Sequence, residues 1–482
     1  MRRRDVLCAS AGALALPAVA RRARAQADPY RPLGRVGVAG GKEAVVGDDG
    51  TTVYLATTDG FAVVDVRTPT DPTLLAERRG ILSGKKNGPL ADIHDVKVDG
   101  DRLVVVGPTD PQRGDVLQGV ASYDVSDPTD PTLVSFYGTD FPIHNSFVLD
   151  GVAYLTGNDG DRNPLVMVDV SGSNPREVGR WSILEYDPAW GRVNPWLRTL
   201  HDVWVQDGVA YIAHWDAGTW IADVSDPSSV EYRGHFGDYV PADLTGLSDG
   251  QIRNEGYELP GNAHYVTVND DATVLGVGEE AWDLDPTDGR HGGPGSIALW
   301  DVRDPSAPEK LSTIAPPPTP DPTLDGVWTT PHNFELVGDR LYSSWYQGGV
   351  KLFDVSDPTS PRELAWWREP DRPSFWTARR AQHCFVASSW QDGGKTSGAA
   401  LYTFPVRAGR QADPPSLEPT TTRTRTAGTT EPSTTTPGTT TTATETESGT
   451  ATETTATSGQ AGFGVGAALA GTALGAWRYL RK

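Results

Sequence analysis

Residues 61–75 read FAVVDVRTPTDPTLL, and the same pattern returns five times along the chain. The later copies are ASYDVSDPTDPTLV (121–134), LVMVDVSGSNPREV (165–178), TWIADVSDPSSVEY (219–232), IALWDVRDPSAPEKL (297–311) and VKLFDVSDPTSPREL (350–364). In each copy an apolar, β-rich run ends at Asp-Val and is followed by a polar turn and a second short apolar run. Asp and Ser bond their own backbone in turns and Pro fixes φ, so each copy predicts a strand, a tight turn and a strand.

A second repeated element comes before five of these copies and begins with histidine. Its copies are HDVKVDGDRLVVVG (94–107), HNSFVLDGVAYLTG (144–157), HDVWVQDGVAYIAH (201–214), HYVTVNDDATVLGV (264–277) and HNFELVGDRLYSSW (332–345). Two apolar runs that flank Asp-Gly or an equivalent pair are typical of a β-hairpin. The two elements together predict a four-stranded antiparallel unit.

The number of units can be checked at the two ends of the repeat region. The first unit begins near Ala44, whereas the seventh, from Phe375 to Val406, lacks its outermost strand. The segment from Arg31, RPLGRVGVAG, resembles the fourth strand of the other units. We therefore predict an all-β, seven-bladed β-propeller over residues 28–408, closed by pairing 33–38 beside 401–406, which leaves no free sheet edge. A linear β-solenoid is the alternative.

The repeats resemble the LVIVD-repeat family, which is named for the strand written here as AVVDV, LVMVDV and KLFDV. The resemblance covers residues 30–406, with six copies in register. It implies a surface β-propeller, and it implies no activity, because none is shared across that family.

The first 27 residues have the features of an export signal. Arg3-Arg4 precedes a short apolar run from Val6 to Ala20, and the small residues of Ala25-Gln26-Ala27 precede Asp28. The twin arginine is similar to Tat-type signals, which export folded proteins. We expect residues 1–27 to be such a signal peptide, and the protein to reach the cell exterior.

The C-terminal part of the sequence predicts a stalk and an anchor. Residues 409–458 are rich in Thr and cannot bury apolar surface, so we expect a disordered, O-glycosylated stalk. Residues 459–482 contain a nearly uncharged run, Phe463 to Leu480, with a basic end, which predicts a transmembrane helix that holds the protein on the extracellular face of the membrane. The order of these features resembles the PGF-type sorting signal of archaeal surface proteins, although Ala461 stands where that motif has proline.

The charge of the chain narrows the range of partners. It has 63 acidic and 42 basic residues, and only eight of the basic ones are lysine. Nucleic-acid binding depends on clustered Lys and Arg, which the body of the chain lacks, so we expect no nucleic-acid partner. Such acidity favours a halophilic protein over an ordinary acidic soluble protein. In a halophilic protein, salt screens the repulsion between the many negative charges.

The candidate site lies on the face of the propeller that carries the long loops, because long loops are where scaffolds carry function. The five histidines that begin the second element should lie there around the channel mouth, and carboxylates follow on the same face. The candidate metal ligands are His94, His144, His201, His264 and His332, and the candidate ligand-binding acids are Asp110, Asp159, Asp216, Glu279 and Glu280. Neutral imidazoles with carboxylates are suited to a transition metal. In the alternative, each histidine bonds a neighbouring turn and has a structural role.

Three functional hypotheses follow. The first is a cell-surface module that binds a surface protein or a carbohydrate through its loop face, where Trp and Tyr residues gather. The second is a copper-type oxidoreductase, since PHNFELVGDRLYSSW (331–345) is similar to segments of selenium-binding-protein-type propellers, which are copper-dependent thiol oxidases. The third is a structural component of a surface layer. The sequence alone leaves open whether the protein is an enzyme and what its ligand is.

Overall fold

The computed structural model describes residues 29–392 and 398–418. In these residues 28 strands form seven antiparallel four-stranded sheets. The innermost strand of each sheet contacts the innermost strands of the sheets before and after it, so the sheets stand in a closed circle. The predicted all-β, seven-bladed propeller is confirmed.

Each blade consists of four strands that follow one another from the channel outward. The first three blades are β2 (Gly41–Val46), β3 (Thr52–Thr57), β4 (Gly60–Asp65), β5 (Thr73–Arg79); β6 (Asp95–Asp99), β7 (Arg102–Gly107), β8 (Gly119–Asp124), β9 (Thr132–Gly138); and β10 (Ile143–Leu149), β11 (Val152–Gly157), β12 (Leu165–Asp169), β13 (Arg176–Trp181). The next three are β14 (Asp202–Gln206), β15 (Val209–Ala213), β16 (Thr219–Asp223), β17 (Glu231–Phe236); β18 (Ala263–Val268), β19 (Val274–Glu279), β20 (Ile297–Asp301), β21 (Glu309–Ile314); and β22 (Phe334–Val337), β23 (Arg340–Ser344), β24 (Val350–Asp354), β25 (Arg362–Trp367). The seventh is β26 (Pro373–Arg380), β27 (Phe385–Asp392), β28 (Ala400–Phe404) and β1 (Gly34–Gly37).

The two ends of the propeller meet in the seventh blade. Strand β1 pairs antiparallel with β28, with Gly34 opposite Thr403 and Gly37 opposite Ala400. The N–H of Val38 donates to Ala399 O at 2.9 Å and extends this pairing by one residue. The predicted closure is confirmed, and the partner segment begins slightly before residue 401.

The hydrophobic core is divided into seven clusters, one between each pair of neighbouring blades. Valines and alanines on one face of a blade pack on the next blade, as Val104 and Val106 of the second blade do with Leu155 and Val166 of the third. The last cluster joins the seventh blade to the first and contains Val38, Leu401 and Val53. Each blade therefore buries both of its faces against its neighbours, and stability depends on completing the circle.

The repeated Asp of each copy closes a turn on the face opposite the long loops. Asp124 accepts hydrogen bonds from the N–H and hydroxyl of Ser126, and Asp223 does the same with Ser225. These are Asx turns, in which a side chain replaces a backbone carbonyl. This face consists of short, similar turns, as the repeats predict.

The long loops lie on the other face and carry the short helices. In the described residues these are three 3₁₀ helices, Ile183–Glu185, Pro188–Arg192 and Pro195–Arg198, and one α-helix, α1 (Asp249–Glu255). Ser248 and Gln251 form a capping box at the start of α1. No helix of the described ranges is long and apolar enough to cross a membrane.

The predicted tail segments lie largely outside the described residues. This holds for the signal peptide (1–27), for the stalk from residue 419 onward and for the anchor (459–482). The described chain, however, packs beyond the predicted domain boundary at residue 408. Gln411 exchanges hydrogen bonds with the backbone of Arg368, and the side chain of Leu417 is buried.

The closure of the ring can be tested with one buried and one exposed residue near β1. Val38 is 1% exposed, so Val38→Asp should lower the free energy of unfolding by about 3–5 kcal/mol, the cost of a buried unpaired charge. Leu33 is 36% exposed, so Leu33→Asp should change the free energy of unfolding by less than about 1 kcal/mol. Guanidinium denaturation measures both, and equal effects would contradict this closure.

Candidate metal centre

One residue from each blade meets the others at the channel mouth, where the innermost strands begin. Five are the predicted histidines: His94, His144, His201, His264 and His332. Hydrogen bonds between blades identify the other two. The N–H of Asn333, which follows His332, donates to Trp376 O, and the N–H of Glu43 donates to His94 O in the same way. Lys42 and Trp376 therefore replace the histidine in the first and seventh blades, and we call these seven residues the mouth ring.

The imidazoles of the mouth ring converge. The ring centroids of His144 and His201 are 4.1 Å apart, and those of His201 and His264 are 4.0 Å apart. The series continues from His264 to His332 at 4.6 Å and from His332 to Trp376 at 4.1 Å. Four histidines from four blades thus share one space.

Backbone carbonyls orient two of these imidazoles. His201 Nδ1 bonds the carbonyl oxygen of His264 at 2.9 Å, and His332 Nδ1 bonds that of Trp376 at 2.8 Å. A carbonyl can only accept, so Nδ1 carries the hydrogen and Nε2 keeps its lone pair. Such bonds connect neighbouring blades, as the structural alternative expects. They also leave Nε2 in the state in which histidine binds a metal, with the orienting partner typical of metal ligands.

A carboxylate from a long loop completes this group. Glu280 Oε2 lies 3.5 Å from His264 Nε2, and its other oxygen accepts the hydroxyl of Tyr346 at 2.5 Å. Ligand atoms of His201, His264 and Glu280 all lie within 4.8 Å of one another. Two ligands at about 2.1 Å from a tetrahedral ion are roughly 3.4 Å apart, so small side-chain movements would let all three bind one ion.

Burial keeps the imidazoles neutral. It lowers the pKa of His144 to about 3, and burial together with neighbouring histidines lowers the pKa values of His201, His264 and His332 well below the usual value. Burial raises the pKa of Glu280 to about 7. The contact of His264 with Glu280 is therefore no salt bridge at neutral pH, and the imidazole lone pairs remain available.

The other side of the mouth has a different character. Asp92 Oδ1 lies 3.3 Å from His94 Nε2, and Asp110 Oδ1 lies 3.9 Å from His144 Nδ1. Burial and the nearby Asp92 raise the pKa of Asp110 to about 8, so its carboxyl group is protonated at neutral pH. Asp110 Oδ2 is buried and has no partner within the described residues.

Charged side chains close the channel directly below the mouth ring. Lys97 forms ion pairs with Asp95 and Glu43, and Arg379 bonds Glu43 and, at 2.7 Å, the hydroxyl of Tyr265. These five residues come from four blades, and all are buried. A ligand of the mouth ring must therefore enter from the loop face.

The remaining predicted acids lie elsewhere. Asp159 is exposed and accepts three backbone N–H groups of its own turn. Asp216 is buried and accepts the N–H of Asn262, and Glu279 accepts from Ser296. Of the five predicted acids, Asp110 and Glu280 are the two that contact a mouth-ring histidine in the described part of the chain.

Sequence spacing missed three residues of the site. Spacing alone matches Ala44 and Thr377 to the histidine position, whereas the structure places Lys42 and Trp376 there. In the first blade the hairpin is two residues longer than in the second, since Val46 pairs with Val53 whereas Val98 pairs with Leu103. In the seventh blade the register shifts between Phe375 and Thr377. Such bulges redirect side chains and have no clear signature in a single sequence. Tyr346 was missed because its role depends on contact with a distant loop.

The aromatic residues of the loop face mostly pack the loops onto the mouth. The ring of Trp328 contacts Tyr346 at 5.2 Å and Trp282 at 4.8 Å. Trp190 and Trp282 are buried, whereas Tyr186 is 48% exposed. Cys384 is buried, and burial raises the pKa of its thiol to about 11, so the thiol is not a ready nucleophile at neutral pH.

Comparisons with known proteins concern the repeat and the propeller fold. The family model of the LVIVD repeat matches residues 123–139 and 198–236. A search of curated proteins found no match. Over 78% of its length the chain aligns with all of the β-propeller domain of Cps50 (Swd1) from Myceliophteria thermophila, at 10% identity and a TM-score of 0.50. BamB from Moraxella catarrhalis aligns over 78% of this chain and 99% of its own, at 11% identity and a TM-score of 0.46. The WD40 propeller of Doa1 aligns over 80% and 99%, at 11% identity and a TM-score of 0.45.

Proposed function

We propose that the chain is a cell-surface β-propeller whose mouth ring binds one divalent transition-metal ion. His201, His264 and Glu280 would be the ligands, and Tyr346 would orient Glu280 from behind. The observation that carries the proposal is the convergence of these ligand atoms within 4.8 Å in a site closed from below.

The alternative structural role accounts for only part of the site. Hydrogen bonds to the next blade use the Nδ1 atoms of His201 and His332 and leave their Nε2 atoms unexplained. His264 Nδ1 is buried and has no partner among the described residues. No ring nitrogen of His264 bonds a neighbouring blade in the described residues, so the structural role leaves this histidine unexplained, whereas coordination through Nε2, beside Glu280, would account for it.

The ligand set limits the choice of metal. Two imidazoles and one carboxylate suit Zn²⁺ and Fe²⁺, and imidazole also suits copper, whereas Mg²⁺ and Ca²⁺ prefer an all-oxygen site. Bound in this way, the ion would keep open positions toward the loop face and could bind or polarise a small ligand there. The copper-type oxidoreductase remains the version of this proposal in which the ion is redox-active.

Metal content tests the proposal. The full chain, purified without chelators and loaded in turn with Zn²⁺, Cu²⁺ and Fe²⁺, should hold about one ion per chain, and His264→Ala or Glu280→Gln should abolish binding. Tyr346→Phe should weaken binding about tenfold, as loss of an orienting partner does. His291 is exposed and serves as the matched control, since His291→Ala should leave binding unchanged. A wild-type chain with less than about 0.1 ion after loading would overturn the proposal.

The loop face supports a second candidate function, which is glycan binding. Tyr186 is 48% exposed and stacks on Tyr232 at 3.6 Å, and the Tyr232 hydroxyl is 2.7 Å from His235 Nδ1. An exposed aromatic face beside polar groups is suited to stacking against a sugar ring.

Binding to immobilised cell-surface polysaccharide tests the second candidate. Tyr186→Ala should reduce this binding about tenfold, because it removes the exposed ring of the stack. Val240 is 58% exposed, so Val240→Ala should have no effect. Equal binding by both variants would rule out Tyr186 as a contact.

We also propose that the protein is exported through the segment 1–27 and held at the outer surface by 459–482, on a glycosylated stalk. The supporting observations are the twin arginine, the Thr-rich composition and the apolar run. In a host with a twin-arginine export route, Arg3→Lys with Arg4→Lys should retain the protein inside the cell. Arg21→Lys with Arg22→Lys is the control and should not. Protein that resists external protease on intact wild-type cells would contradict surface placement.

A further inference from the structure

Lys42 occupies the position in the mouth ring that five other blades give to histidine. Its side chain is 8% exposed, and its ammonium lies 4.3 Å from the ring centroid of Trp376 and 4.4 Å from that of Trp390. The two indole rings, inclined at 71° to each other, therefore border the cation on two adjacent sides. Cation–π contacts stabilise a charged group but use none of its N–H donors.

Lys42 differs from the other buried lysines of the described ranges. Lys97 pairs with Asp95 and Glu43, and Lys351 lies 3.3 Å from Glu363. In the same part of the chain, Lys42 has neither an ion pair nor a hydrogen bond. Its three N–H donors are therefore unused by the described chain, and a largely buried ammonium in this state is suited to bind an anion that enters from the mouth.

The nearby carboxyl groups act on Lys42 only at a distance: the charge of Asp92 stabilises the ammonium and raises its pKa, but no carboxylate of the described ranges forms an ion pair with Lys42. Asp92 is engaged by His94 at 3.3 Å and by the amide of Gln112 at 2.8 Å. Asp110 Oδ1 lies 3.9 Å from His144 Nδ1, and Asp110 forms no ion pair with Lys42 in the described ranges. Burial lowers the pKa of Lys42 to about 8, so the amine still carries its charge at neutral pH.

We propose that Lys42 is an anion-recognition group of the channel mouth and that the ligand of this mouth is a small organic carboxylate. Trp376 connects Lys42 to the proposed metal site. Its ring contacts Lys42 and also His332, and the ring of His332 contacts that of His264. A carboxylate held by Lys42 would present the rest of its molecule to the open positions of the ion. The contact between this ligand and the ion rests on the proposed metal centre, whereas the contact between the ligand and Lys42 needs no metal.

Malonate and its uncharged analogue malonamide test the inference by calorimetry on the full chain. With metal-free protein, malonate should bind and malonamide should not, and Lys42→Met should weaken malonate binding at least about tenfold, while Lys42→Arg should retain most of it. Lys42→Met should leave the denaturation midpoint unchanged or raised, because it removes an unpaired buried charge. Lys351→Met is the control, since it should lower that midpoint and leave malonate binding intact.

The outcomes separate this inference from the metal proposal. Malonate binding to the metal-free wild type that Lys42→Met abolishes supports the inference, even if no metal is taken up. Equal malonate binding by wild type and Lys42→Met overturns the inference. Malonate binding that requires metal loading and is the same in wild type and Lys42→Met also overturns it, but leaves the metal proposal standing. Absence of malonate binding in both forms also overturns it. A lowered denaturation midpoint in Lys42→Met would assign the lysine a structural role and overturn it as well.

Discussion

Pairing of β1 with β28 is the interaction on which the rest of the molecule depends. It supplies the outer strand of the last blade and places Val38 in the core that joins the seventh blade to the first. Without it, the last blade would lack its outer strand and the core between the seventh and first blades would lose Val38. The same closure determines the diameter of the circle of innermost strands, and therefore how closely their first residues approach one another at the mouth.

The close approach of the innermost strands at the mouth explains how a repeated sequence can produce a single binding site. A residue repeated in every blade usually serves the blade, and the Nδ1 bonds of His201 and His332 to the next blade do so. Closure of the circle brings the unused Nε2 atoms into one space. The site then differs from the repeat where two blades depart from it, at Lys42 and Trp376, and where the loops add Glu280 and Tyr346.

The fold could be predicted well because its determinants are local. Asp124 and Ser126 make the turn that their types suggest, and the missing outer strand of the last blade had an obvious candidate at the other end of the chain. The site could be predicted only in part. Histidine positions follow the repeat, but the position of Lys42 depends on the greater length of its hairpin, and that of Trp376 on a register shift in β26. The selection of Glu280 over Asp159 depends on how long loops pack.

The position of β1 also has a consequence for the order of events in the cell. Its partner β28 lies more than 360 residues later in the sequence, so the ribosome must make nearly the whole domain before the last blade can be assembled. During synthesis the nascent chain carries an unpaired strand edge at each end. Translocation as an extended thread would separate those ends for the whole passage, whereas transport after folding would keep them paired.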